Sequence, residues 1–207
     1  GYQSQDIKIT PRPDQEQSLN IELLTLQEAY WASRPNFIQS PVESALKLFR
    51  PNKATFSLGA PRRQPGRRAN EVERQVTLQR PFYLATKEIS NKQFKRWKNQ
   101  HSSTAIKGIS LDMATQPAVK VSWDDAVLFC NWLSGKSGLS PFYQIENGYV
   151  TGIDWQSNGY RLPTEAEWAW AAKVDYQGLV AQFPWKNNLY PPLETIDNYA
   201  DSSAKYL

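Results

Sequence analysis

Few side chains in this chain could make or break bonds, and their spacing narrows the chemistry further. Residues 160–168 read YRLPTEAEW, which puts Arg161, Glu165 and Glu167 within a seven-residue span. One guanidinium with two carboxylates can brace a turn and cap a helix. The sharper alternative is a catalytic carboxylate pair with shifted pKa values. Thr164 and Glu167 stand at capping-box spacing, which favours the brace. The chain has one cysteine, Cys130, and one histidine, His101. That leaves no internal disulfide framework, no thiolate-rich metal site and no zinc site built from His and Cys ligands. Cys130 falls in an apolar helical stripe and reads as a small buried hydrophobe. His101 reads as a surface or capping residue at a helix end.

The densest charge cluster is Arg62, Arg63, Arg67 and Arg68, in a stretch holding Pro61, Pro65 and Gly66 and followed by Glu71 and Glu73. A nucleic-acid footprint would be a concentrated basic stripe. A net charge of +4 and an isoelectric point near 9.1 are only mildly basic. The cluster therefore reads as a solvated loop whose arginines make local pairs, and no nucleic-acid partner is expected.

The elements that position these residues start with an alternating segment. Ile7 and Ile9, then Leu19, Ile21 and Leu23, lie on one face of a hairpin within residues 1–25. Residues 26–44 are ambiguous and read as a linker. Thr25 and Glu28 could cap a short helix ended by Pro35. Ser40-Pro41 with Glu43 could start another, but 46–49 and 54–58 also fit two strands around Pro51-Asn52-Lys53. Beyond these come strands at 75–78 and 82–85, and a helix from Ser90 to about Gln100 with Phe94 and Trp97 inward. A short strand is expected at 119–121. The strongest helix runs over 123–134, with Trp123, Ala126, Val127, Cys130 and Leu133 as its stripe and Gly135 as its left-handed stop. Strands 143–145 and 149–151 flank Asn147-Gly148, the preferred type I′ turn. Thr164 opens a helix to about Lys173, beyond which no sustained period is found.

Composition bounds the class. The chain has 207 residues, 40% of them hydrophobic and 21% charged, with eight Trp, ten Tyr and eight Phe. That balance excludes a disordered or fibrous chain. No run approaches the roughly 18 apolar residues of a membrane span, and the N-terminus lacks a signal-peptide pattern.

The ordered segments FSLGA (56–60), ERQVTLQRPFYL (73–84), KEISNKQFKRW (87–97), VKVSWDDAVLFCNWL (119–133), YRLPTEAEW (160–168) and FPW (183–185) resemble the formylglycine-generating enzyme family, or sulfatase-modifying factors. The opening GYQSQDIKITPRPDQEQSLNIELLTL resembles the second half of a PEGA repeat, a small β module of bacterial envelope proteins. The resemblance implies an α+β, C-type-lectin-like fold with few regular elements. The expected layout is the end of a PEGA-like module at 1–25, a linker at 26–44 and the N-terminal part of the enzyme-like domain at 45–207. Segments similar to the family's later Gly-Asn-Val-x-Glu-Trp and Arg-Gly-Gly-Ser stretches are not present. The domain is thus expected to be incomplete at its C-terminus, with the remainder cut off, disordered or supplied as a separate chain.

The family's activity implies copper held by two thiolates, a pairing that suits soft Cu(I). Those cysteines lie after the YRLPTEAEW-like segment, and Cys130 corresponds to neither. Copper is not expected here, and no catalytic residue is assigned. The family's calcium site maps onto Asn198 and Tyr199, beside Asp197 and Asp201, against the alternative of a polar turn. Calcium takes 6–8 oxygens, so this stretch supplies part of a site. Lys186 stands where the family usually has Gly.

Three functions compete on this reading. The first is a non-catalytic binding or regulatory module of a bacterial envelope protein. The second is a copper-dependent oxidase converting a sulfatase cysteine to formylglycine, with its catalytic half missing. The third is an iron-dependent sulfoxide synthase, which would need a histidine cluster. The first implies a periplasmic or extracytoplasmic location, a protein or peptide partner, and membrane contact only through an upstream tether. Trp155 and Trp185 either line a peptide groove or pack in loops.

Overall fold

The computed structural model describes residues 1–4, 23–53, 55–64, 66–173 and 181. The chain divides into two compact units, residues 1–36 and 37–207.

In the first unit, Tyr2 and Thr25 form an isolated antiparallel bridge, and Gln3 N–H donates to the Leu24 carbonyl at 2.9 Å. The interior of the expected hairpin lies outside the described residues. Helix α1, Leu26–Ala32, begins at the capping box that Thr25 and Glu28 spell out. Each side chain accepts from the other's backbone N–H, which satisfies two otherwise orphaned donors. The segment read as a linker therefore carries a helix. It also carries β1, Phe37–Gln39, at the start of the second unit.

In the second unit, β1 pairs antiparallel with β2, Ala45–Phe49, with Ile38 opposite Leu46. A helix across 41–49 does not form. Ser40 and Ser44 close a tight loop through two hydrogen bonds, and Glu43 adopts φ 64°, outside the right-handed helical region. β2 then alternates, with Leu46 and Leu48 buried and Lys47 exposed. Strands β3, Thr55–Leu58, and β4, Arg74–Thr77, make a separate antiparallel ribbon. β5, Phe82–Ala85, joins the first sheet, whose order is β1-β2-β5.

Helix α2 spans only Asn91–Lys95, opened by a Ser90–Gln93 capping box. The spacing of Phe94 and Trp97 fits a longer helix, but the chain leaves through a tight turn at Trp97 and Lys98. A small hairpin follows, β6 (Ala105–Ile106) and β7 (Ile109–Ser110), turning through Lys107 and Gly108, both at positive φ. Residues 119–121 form no strand. The Val119 N–H is taken by the Ser103 hydroxyl instead of a neighbouring strand.

Helix α3, Trp123–Lys136, runs two residues past the expected stop. Gly135 sits within it, and Gly138, at φ 65°, supplies the left-handed residue. Val127, Phe129, Cys130 and Leu133 are buried, whereas Trp123 is exposed. Two apolar clusters meet along α3. One gathers Val42, Phe94, Phe129 and Leu133, and the other gathers Val127, Cys130, Phe142 and Tyr143. Hairpin β8 (Tyr143–Glu146) and β9 (Tyr149–Ile153) turns at Asn147 and Gly148, both at positive φ as a type I′ turn requires. Helix α4, Glu165–Lys173, buries Ala169 and Trp170 against Phe56 and Leu58 of β3. The architecture is mixed α/β, with short strands and helices joined by tightly bonded loops.

Candidate functional site

The segment at 159–167 is set by contact with α3. A Cβ on Gly159 would collide with the Ser140 carbonyl and the Ser134 hydroxyl. The absence of a side chain lets the next amide, Tyr160 N–H, donate to Ser134 Oγ at 2.8 Å. Leu162 N–H then donates to the Tyr143 hydroxyl at 3.1 Å. These bonds carry Arg161 to the start of α4.

There Arg161 grips Glu167 with both terminal nitrogens, Nη1 to Oε2 at 2.7 Å and Nη2 to Oε1 at 2.5 Å. Thr164 supplies its N–H and its hydroxyl to the same carboxylate, and its hydroxyl accepts the Glu167 N–H. The guanidinium also lies 5.4 Å from the Phe142 ring centroid and 5.9 Å from that of Trp155. Burial raises the Glu167 pKa, but the bonds from Arg161 and Thr164 outweigh it and hold the carboxyl below its ordinary value. Glu167 holds the Arg161 pKa above its ordinary value in turn.

This trio is a brace, and it has no proton to trade near neutrality. Both oxygens of Glu167 are occupied, and Glu165 is not its partner. Residues i and i+2 of a helix do not face each other. Glu165 points to solvent and pairs with Arg74 at 2.6 Å. Sequence spacing suggested the brace but gave no sign of Arg74, which lies 91 residues earlier. Nor did it reveal the Phe142–Trp155 clamp on Arg161. Trp155 is half-exposed and packs edge-on to Phe142 at 5.2 Å.

Cys130 is buried in α3, and burial pushes its thiol up to about 12. It stays protonated, as expected of a small core residue. His101 departs from expectation. It is 8% exposed, with its ring edge-on to Phe94 at 4.7 Å and Nε2 3.4 Å from the Ser103 hydroxyl. The apolar cluster around Phe94 accounts for that burial.

His101 borders a polar network that motif spacing does not signal. Asn91, fully buried, donates from Nδ2 to the carbonyls of Leu111 and Met113 at 2.8 and 2.9 Å. Its Oδ1 accepts from Ser103. Asp112 takes the Lys95 ammonium at 2.9 Å and the Ser103 N–H at 3.0 Å, and both lower its pKa. The bonds of Asn91 and Lys95 pin the 101–119 loop to α2, and the Ser103–Asp112 bond closes the loop on itself.

Two cavities stand out among the described residues. One, of about 320 Å³, is lined by Lys47, Phe49, Leu84 and Thr86 with Trp168 and Ala172 of α4. The other, of about 590 Å³, lies beside Asn131, Ser140, Tyr143, Gln144, Glu146 and Asp154. Neither holds a nucleophile paired with a base.

A thiolate pair for copper cannot be built from these residues. The chain carries one cysteine, and its sulfur is enclosed by hydrocarbon and protonated. Among the described residues no group of three His, Cys, Asp or Glu side chains could hold a metal. Asn198 and Tyr199, the calcium candidates, lie outside the described residues, as does Trp185.

A family model for the sulfatase-modifying factor enzyme 1-like domain matches residues 49–206. The chain belongs to that family. Among curated relatives it is 32% identical over 130 residues to the "Chaperone protein LppX" of Paenibacillus barcinonensis, covering 56% of this chain and 44% of that protein. It is 32% identical over 81 residues to the formylglycine-generating enzyme of Mus musculus, covering 39% of this chain and 14% of the enzyme. With that of Thermomonospora curvata the figures are 34% over 80 residues, 39% and 18%. The chain thus spans less than half the length of each of these relatives. A crystal structure of CarF superposes with a TM-score of 0.41 at 26% identity, covering 55% of this chain and 53% of that one.

Proposed function

We propose that this chain is a non-catalytic binding or regulatory module built on the sulfatase-modifying-factor domain, with a C-type-lectin-like layout. It works in the periplasm or outside the cell, in a bacterial envelope protein with a PEGA-like module ahead of it. A protein or peptide is its partner, and an upstream tether links it to the membrane. Calcium at Asn198 and Tyr199 is the metal this reading allows. The observation that carries it is chemical: the chain's one thiol is buried and held protonated, so these residues offer Cu(I) no thiolate pair. The satisfied Arg161–Glu167 brace supports it, since that site holds structure and transfers nothing. Similarity to a protein named a chaperone supports a protein partner.

The second reading is a formylglycine-generating oxidase whose thiolates come from residues outside this sequence. Similarity to the two formylglycine-generating enzymes favours it. The test incubates the chain with copper, oxygen and a Cys-x-Pro-x-Arg peptide and follows aldehyde by mass spectrometry. No aldehyde above the copper-only control is expected. Turnover of the peptide by the chain would overturn the proposal.

A further inference from the structure

The cavity lined by the first sheet and α4 carries a charge that no acid in its lining answers. Lys47 and Phe49 alternate onto one face of β2, and Leu84 of β5, the register partner of Lys47, shares that face. From α4 come Trp168, Ala171 and Ala172, at the i, i+3, i+4 spacing of one helical stripe. Ala169 and Trp170 of the same helix pack instead with Phe56 and Leu58 of β3. Apart from Lys47 and Thr86 the lining is apolar.

The position of the ammonium is fixed by the aromatic beside it. Lys47 Nζ lies over the Phe49 ring, 5.2 Å from its centroid, and that ring is stacked on Phe82 at 5.5 Å. Among the described residues the Lys47 ammonium makes no ion pair and no hydrogen bond. Trp168, 63% exposed, leaves a large apolar side chain mostly uncovered at the same cavity.

Size and charge narrow the occupant. Residues 168 to 172 span about 6 Å of helix, and residues 47 to 49 about 7 Å of strand. A groove that short covers one large side chain, whereas a long acyl chain would leave most of its methylenes in water. One cation in an apolar lining offers little to a polyanion or to an inorganic anion. In an extended peptide successive side chains point to opposite faces, so an internal acidic residue and its apolar neighbour would not enter together. The last residue of a chain carries its carboxylate and its side chain on the same Cα.

We infer that this cavity captures the C-terminal residue of a partner protein. A large apolar side chain lies against Trp168, Phe49 and Leu84, and the terminal carboxylate meets the Lys47 ammonium. The inference rests on the peptide-partner reading and names the chemistry of that partner.

The test titrates the chain, by calorimetry, with an acetylated hexapeptide ending in Leu-Phe, as the free acid and as the C-terminal amide. The acid is expected to bind about fivefold more tightly than the amide. That ratio should collapse to about one in K47Q. It should persist in K107Q, which removes an exposed lysine outside the cavity. W168A, at an exposed position, should weaken acid and amide alike, by about tenfold. Circular dichroism checks that each variant folds. Equal binding of acid and amide, or a preference for the acid that survives in K47Q, would overturn the inference while leaving a peptide partner standing. Binding of octanoate in place of the peptide, or of neither peptide form, would overturn it as well. Aldehyde formed from the Cys-x-Pro-x-Arg peptide would instead overturn the non-catalytic reading.

Discussion

Two glutamates stand two residues apart at the start of α4, and each meets an arginine under opposite conditions. Glu167 is 11% exposed at its side chain, is held bidentate by Arg161 and also accepts from Thr164. Glu165 is 71% exposed and meets Arg74 through one short contact. The distances are nearly the same, so length does not separate them. What separates them is the solvent each carboxylate has lost and the number of donors that replace it. In water an ion pair gains little over two hydrated ions. Where water is excluded, removing one partner strands the other, and the loss is large.

The strongest way to break this contrast is Glu167→Ala. It uncaps α4 and leaves Arg161 half-buried between two rings, at an expected cost of about 3–5 kcal/mol. A denaturant melt checks this, and a loss below about 1 kcal/mol would put the two pairs in the same class. A smaller effect is expected from acid. Glu167 binds its proton more weakly folded than unfolded, so its contribution is complete above the ordinary value of 4.5. That contribution drains away as pH falls through the lower folded value. Asp112, lowered by Lys95 and Ser103, shifts stability in the same direction. Melts from pH 6 down to about pH 2 should therefore show an acid limb in the parent chain. The limb should shrink, but not vanish, in Glu167→Ala. The smallest effect belongs to Glu165→Ala, expected to cost about 0–1 kcal/mol and less at high salt. A loss as large as that of Glu167→Ala would remove the distinction.

Local signals were legible in the sequence where one short stretch contains the whole cause. The Thr25, Ser90 and Thr164 caps, the Asn147-Gly148 turn and the α3 stripe are all of this kind. Between 41 and 58 the residues fit a helix start and two strands alike, because local propensity is balanced there, and the pairing of β2 with β1 and β5 decides it. Illegible features depend on packing that no local pattern encodes. His101 is buried because Phe94 and Ser103 close over it, and the 119–121 segment loses its ladder to a serine hydroxyl 16 residues away. Asn91 looks like an ordinary first-turn residue, yet it holds two carbonyls 20 and 22 residues on. The candidate site divides the same way. Arg161 with Glu167 was visible as spacing, whereas Arg74 and the aromatic clamp on Arg161 depend on tertiary packing.

The concealment of Cys130 has a practical side. Maleimides react with thiolates, and the folded chain presents none at neutral pH. A cysteine introduced on the surface, at Asn70 beside the arginines for instance, would thus take a fluorophore or spin label alone, without deleting the native sulfur from the core.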